Sequence, residues 1–142
     1  MFSFTTSHVI LALFVLFSCL SIVPAAPVAP AAELEKRTDH EGLGTWFYPG
    51  WGNCGYYDGD NDKILAMSKS FYDSNGGSNC NQWVEIVNED NGKTAYGLLR
   101  DSCESCGWND IDMSPGLFQE LDELSTGEIK VKWHFMEKSW SP

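Results

Sequence analysis

Basic residues are scarce in this chain. Its 142 residues include 9 Lys and Arg against 20 Asp and Glu, for a net charge of −11 at pH 7. Glu33 and Glu35 offset Lys36 and Arg37, so the whole imbalance falls on residues 38–142. Nucleic acid wants a basic footprint and is excluded as a partner. Acidic polymers are disfavoured by like-charge repulsion. Neutral polysaccharides stay open, and low pH would relieve the self-repulsion. Solubility outside the cell is the plainer reading of the same charge. Other absences narrow the field further. No G-x-S-x-G elbow and no P-loop occurs, and His134 sits inside an alternating segment, so no Ser-His-Asp case can be made. The N-x-S/T sequon is missing, so N-glycosylation is not expected. A second long apolar run is also missing, so no membrane anchor is expected.

The first apolar run, Val9 to Leu20, is shorter than the ~20 residues a membrane span needs. Small residues follow it, with Val23 and Ala25 suitably placed for signal peptidase. Residues 1–25 therefore read as a cleaved signal peptide, although no Lys or Arg precedes the run. Residues 26–37 form an Ala- and Pro-rich segment ending in Glu35-Lys36-Arg37. That ending reads as a dibasic processing site, with an ordinary charged pair as the alternative. Residues 38–142 are then one domain, secreted and expected to be a monomer. It is long enough for one core and short enough to gain from disulfides.

Of the 5 Cys, Cys19 leaves with the signal peptide. Cys54, Cys80, Cys103 and Cys106 remain, and an even count in a secreted chain reads as two disulfides. Spacing alone leaves three connectivities open. A zinc half-site at C-x-x-C would need a second ligand pair, and only His40 and His134 are at hand. No metal and no cofactor is expected.

Most segments read as strand. Gly44 to Tyr48 is aromatic-rich and ends at Pro49-Gly50. Ile64 to Ser68 fits a strand or a helical turn. Trp83 to Val87 places Val84 and Ile86 on one face, and Thr94 to Leu99 returns after Asn91-Gly92. That dipeptide predicts a type I′ hairpin turn. Ile129 to Phe135 alternates apolar with polar. One helix is predicted, capped by Ser114, with Pro115 in its first position and Gly127 as its stop. Leu117, Phe118, Leu121 and Leu124 share its core face. Short strands with little helix predict a small closed β-barrel.

Carboxylates and aromatics remain as carriers of chemistry. Asp101 closes the strand Thr94 to Leu99, and Asp112 precedes the helix cap. Either could meet substrate at a barrel rim. Asp112 could instead cap the helix, and Asp101 could make a turn hydrogen bond. Trp46, Phe47, Tyr48, Trp51, Tyr56 and Tyr57 are clustered, and Trp108 lies in a Gly-Trp-Asn-Asp loop. Sugar rings stack on aromatic faces while their hydroxyls find polar partners. Most of these aromatics are expected in the core and about two or three outside, with Trp108 foremost.

Several blocks in order carry a family resemblance: T-W-F-Y-P-G-W-G-N-C-G (45–55), N-C-N-Q-W-V-E-I (79–86), N-G-K-T-A (91–95), R-D-S-C-E-S-C-G (100–107), D-I-D-M-S-P-G-L-F (110–118) and V-K-W-H-F (131–135). The chain resembles fungal expansin-like, loosenin-type proteins with an RlpA-like domain. The specific part is D-x-D-M-S-P after C-x-x-C. The resemblance implies a six-stranded double-psi β-barrel, barwin- and expansin-like, with a groove across one face. It implies that Asp112 is the Asp required for wall loosening, with Asp101 and Thr45 as its companions. It further implies Cys54–Cys80, which leaves Cys103–Cys106. Cys103 stands where expansins often hold a Tyr. The chain stops at Pro142, so the carbohydrate-binding module that follows in expansins is not expected.

The first strand offers Thr45 and no carboxylate. Glycoside hydrolysis normally uses two carboxyls about 5–9.5 Å apart, so ordinary hydrolysis is not expected. The expected function is binding and loosening of cell-wall polysaccharide: cellulose, chitin or β-glucan. Asp112 would bond or protonate the glycan. Thr45 and Asp101 would orient it, and Trp108, Trp51, Trp46 and Asp110 would bind it. Two alternatives are a protease inhibitor or host-interaction protein on the same barrel, and a lytic transglycosylase that needs one acid.

Overall fold

The computed structural model describes residues 37–142. The expected signal peptide (1–25), and the expected pro-segment (26–37) except Arg37, lie outside the described residues. The strands are β1 (His40–Trp46), β2 (Ile64–Ser68), β3 (Trp83–Asn88), β4 (Thr94–Cys103), β5 (Ile111–Met113) and β6 (Ile129–Phe135). Helix α1 (Lys69–Ser74) follows β2, and α2 (Pro115–Leu121) follows β5. The six strands close into a barrel in the order β1-β5-β2-β4-β3-β6. Pairs β1–β5 and β2–β4 are parallel, and the other four contacts are antiparallel.

Alternation fills the barrel. Val84 and Ile86 of β3 point inward, as do Ile111 and Met113 of β5, and Ile129, Val131 and Trp133 of β6. Helix α2 brings Leu117, Phe118 and Leu121 to the same core. Its approach depends on Gly97, because a Cβ there would collide with Leu117 Cδ2 and sit 2.9 Å from Leu65 Cδ2. Ser114 caps α2 as expected: its Oγ accepts from the Leu117 N–H at 3.3 Å.

Five expectations need correction. The first strand runs over His40–Trp46 rather than Gly44 to Tyr48. Its glycine-rich start has poor strand propensity, yet a Cβ at Gly42 would meet Asn109 O and one at Gly44 would meet Met113 Cε. Close packing thus demands glycine where propensity argues against a strand. The return strand continues past Leu99 to Cys103, which places Asp101 within β4. The helix ends at Leu121, where Asp122 is extended, and Leu124 falls in a separate 3-10 turn, Leu124–Thr126, that Gly127 closes. There is a second helix, α1, whose Ser68 makes no side-chain cap bond and so left no signal. The Asn91-Gly92 hairpin exists but is not type I′. Only Gly92 of the pair takes positive φ, +74°, and the Gly92 N–H reaches back to Asn88 O at 2.8 Å.

The disulfides are Cys54–Cys80 and Cys103–Cys106.

Candidate functional site

The register of the barrel assembles the site. Thr45 on β1 is paired with Asp112 on β5, Asp112 with Ala66 on β2, and Ala66 with Asp101 on β4. These residues form one row across four neighbouring strands. The flanking residues Gly44, Ile111, Met113, Leu65 and Leu99 face the core, so alternation turns the row outward. The β2–β4 register shifts by one residue between Leu65 and Ala66, leaving Arg100 as the extra residue. That bulge lets Asp101, not Arg100, oppose Ala66.

Asp112 is half-buried. Thr45 Oγ1 donates to its Oδ1 at 2.8 Å. Burial pushes its carboxyl above the ordinary value, while the Thr45 hydroxyl and the Met113 N–H pull the other way. The helix cap is Ser114, so Asp112 does not cap α2. Both sulfurs of Cys103–Cys106 lie within 4.8 Å of an Asp112 carboxylate oxygen and of each other. Asp101 is held differently. Its Oδ1 accepts from the N–H groups of Asn53 and Ser102, each at 2.8 Å. The turn bond weighed for it is replaced by one bond within β4 and one that ties the loop after β1 to the strand.

The loop after β1 is pinned beside Asp101. Cys54 N–H bonds Arg100 O at 3.0 Å, and Cys54–Cys80 ties the loop to residues 75–81. Arg100 stacks on Tyr56 at 3.9 Å and faces Asp58 at 3.6 Å. This tethered loop displays Trp51, 77% exposed, edge-on to Tyr57. Tyr48, Tyr56 and Tyr57 are exposed too, more aromatic surface than the sequence suggested. Trp46 is half-buried, and its Nε1 donates to Leu124 O at 3.1 Å.

Trp108 is 52% exposed and tilts against Phe71 of α1, with ring centres 5.3 Å apart. Asp110 braces the turn beneath it. Its two oxygens accept from Leu43 N–H and Gly107 N–H, each at 2.8 Å. Thr45, Asp112 and Asp101 are thus brought into one row, with Trp51 on the loop bonded to Asp101. Asp110 serves its own turn, and Trp108 stands on the α1 side. Sequence reasoning missed the contact between Asp112 and the Cys103–Cys106 sulfurs. The C-x-x-C spacing was visible, but the short strand β5 that brings Asp112 back to it was not.

No family model matches the chain, and no curated protein does. Solved structures do. A papain inhibitor from Streptomyces is 26% identical at a TM-score of 0.62, over 70% of this chain and 96% of that one. An Asp-to-Asn variant of the Clavibacter michiganensis expansin, in complex with cellohexaose, is 20% identical at a TM-score of 0.64. It matches 74% of this chain and 54% of that one, so the chain spans about half the length of the expansin. The same expansin without ligand gives 21% identity and a TM-score of 0.63. The fold is the double-psi β-barrel that these proteins share.

Proposed function

We propose that this expansin-like barrel is a secreted protein that binds and loosens cell-wall polysaccharide without ordinary hydrolysis. The observation that carries the reading is the row in which partly exposed Thr45, Asp112 and Asp101 flank the buried Ala66, beside a loop of exposed aromatics. Asp112 is the reactive member. Its carboxyl is raised by burial and oriented by one hydroxyl, so it can donate a hydrogen bond or a proton to a glycan oxygen in weakly acidic surroundings. Asp101 is anchored by two backbone N–H groups and orients rather than reacts. Trp51 and Tyr57 offer faces for sugar rings. Strand β1, longer than expected, does carry a carboxylate, Glu41, but it lies four residues or about 13 Å along the strand from Thr45, which stands where a hydrolase of this layout would need its second acid. A relative that binds cellohexaose supports a β-glucan as the ligand class. Two disulfides suit an oxidising exterior. On this reading the chain is cut after Arg37, and N-terminal sequencing of the secreted protein would find Thr38 first; a start near Ala26 would refute that cut.

Pull-down on cellulose, chitin and β-glucan tests the reading. Binding to at least one, with no soluble sugar released, is expected.

One observation favours a second reading. The papain inhibitor is matched over nearly its whole length, and the aromatic loop 48–57 has the Trp and Tyr exposure of a protein-binding surface. Papain inhibition separates the two. Inhibition without glycan binding would favour the second reading.

A further inference from the structure

The Cys103–Cys106 disulfide lies against Asp112, and glycan binding makes no use of its sulfur chemistry. Its sulfurs and an Asp112 carboxylate oxygen are mutually within 4.8 Å. Both cysteines are partly exposed. The backbone on either side is held by other bonds. Cys103 is in register with Ser68 of β2, and Ser68 Oγ donates to Cys106 O at 3.4 Å. Asp110 braces the rest of the turn through the Gly107 and Leu43 N–H groups, each at 2.8 Å. With a sequence separation of 3, this bridge closes a very short loop, so opening it releases less chain entropy than opening the other bridge would. Cys54–Cys80 has a separation of 26 and pins two long loops together.

We infer that Cys103–Cys106 is an exchange-active disulfide, opened and reclosed by small thiols while the barrel stays folded, with Asp112 moving the proton. The thiolate of an external thiol attacks one sulfur, breaks the S–S bond and forms a mixed disulfide. The other cysteine sulfur departs with the bonding electron pair and takes the proton from the Asp112 carboxyl. Solvent returns a proton to the Asp112 carboxylate, a second external thiolate attacks the external sulfur of the mixed disulfide, and the released cysteine sulfur departs with the bonding pair and takes that proton from Asp112. The balance is one protein disulfide plus two thiols giving two protein thiols plus one external disulfide. The protein gains two electrons and two protons, and the external thiols are oxidised. Reclosure is the reverse, with the Asp112 carboxylate accepting the proton.

The surroundings suit that role. β1 and β2 present the uncharged Thr45 and Ala66 to Asp112; the adjoining elements carry Asp101 on β4, Glu41 at the far end of β1, Glu104 in the disulfide turn, Asp110 bonded within its own turn, and Lys69 of α1, which pairs with Asp73. Among the described residues no cation holds the Asp112 carboxyl down, and burial keeps it protonated to a higher pH than an ordinary Asp.

The test exposes the secreted protein to dithiothreitol without denaturant, then alkylates free thiols and maps them by mass spectrometry. Cys103 and Cys106 should be labelled together while Cys54 and Cys80 stay joined and circular dichroism is unchanged. Labelling of Cys54 and Cys80 at the same rate, or no labelling at Cys103 and Cys106 until denaturant is added, would overturn the proposal. The proton role is read from the rate per thiolate between pH 5 and 8. Wild type should exceed Asp112→Asn by about tenfold at the acidic end, less than a full general acid contributes because water also supplies protons. The two should converge at the alkaline end. A constant ratio across the range would remove Asp112 from the step. Thr45→Val supplies a second check should Asp112→Asn fail to fold. It removes a bond that lowers the Asp112 carboxyl, so the break in the wild-type profile should move to higher pH; an unmoved break counts against the role.

Discussion

Thr45 and Asp112 are register partners on parallel strands, and the Thr45 hydroxyl donates to the Asp112 carboxylate at 2.8 Å. This bond opposes the effect of burial on Asp112. Thr45→Val keeps the branched shape and deletes the donor. The Asp112 carboxyl should titrate higher still, and neutral-pH stability should fall by about 1 kcal/mol. Carboxyl NMR titration and urea denaturation measure the two effects.

The same shift fixes a pH dependence. A carboxyl raised in the folded state is protonated there at pH values where the unfolded chain has already ionised. Its contribution to stability is fully present below the ordinary Asp value and is lost as pH rises through the raised one. Asp112→Asn should therefore gain melting temperature relative to wild type as pH goes from 4 to 7. A difference that stays flat, or reverses, would contradict the burial of Asp112.

Gly97 is predicted to tolerate no side chain. Its missing Cβ makes room for Leu117, so Gly97→Ala should cost about 1–3 kcal/mol by overpacking the contact between β4 and α2. Urea denaturation of the variant reads this directly, and wild-type stability would refute it.

The two bridges should contribute unequally. Replacing Cys54 and Cys80 by Ala should cost about 3–4 kcal/mol, and replacing Cys103 and Cys106 about 2 kcal/mol, on loop-closure entropy for separations of 26 and 3. Calorimetry on both double variants gives the order.

What could be read from the chain follows from how local each signal is. Ile129 to Phe135 alternates cleanly and is β6; Ser114-Pro115 opens α2. Both features are written in neighbouring residues. Strand β5 is three residues long and too short to show a period, and α1 lacks a capping side chain. Both are held by the barrel rather than by propensity. The site divides in the same way. Asp101 and Asp112 could be picked out from their places at the ends of regular elements and Thr45 only from the family resemblance, while the row that joins them depends on strand register and on the bulge at Arg100. Register is a long-range property that no single segment displays. Asp110 lay in the recognisable motif, but its bonds to Gly107 and Leu43 appear only when β1 and the turn meet.

The central claim is that Asp112 acts on polysaccharide. Its most direct test measures binding to cellulose, chitin and β-glucan, with mechanical weakening of the bound polymer and release of soluble sugar, for wild type and Asp112→Asn. Wild type should bind at least one polymer and weaken it without releasing sugar, and Asp112→Asn should lose the weakening. No binding to any of the three by wild type, with Asp112→Asn indistinguishable from it, would contradict the account.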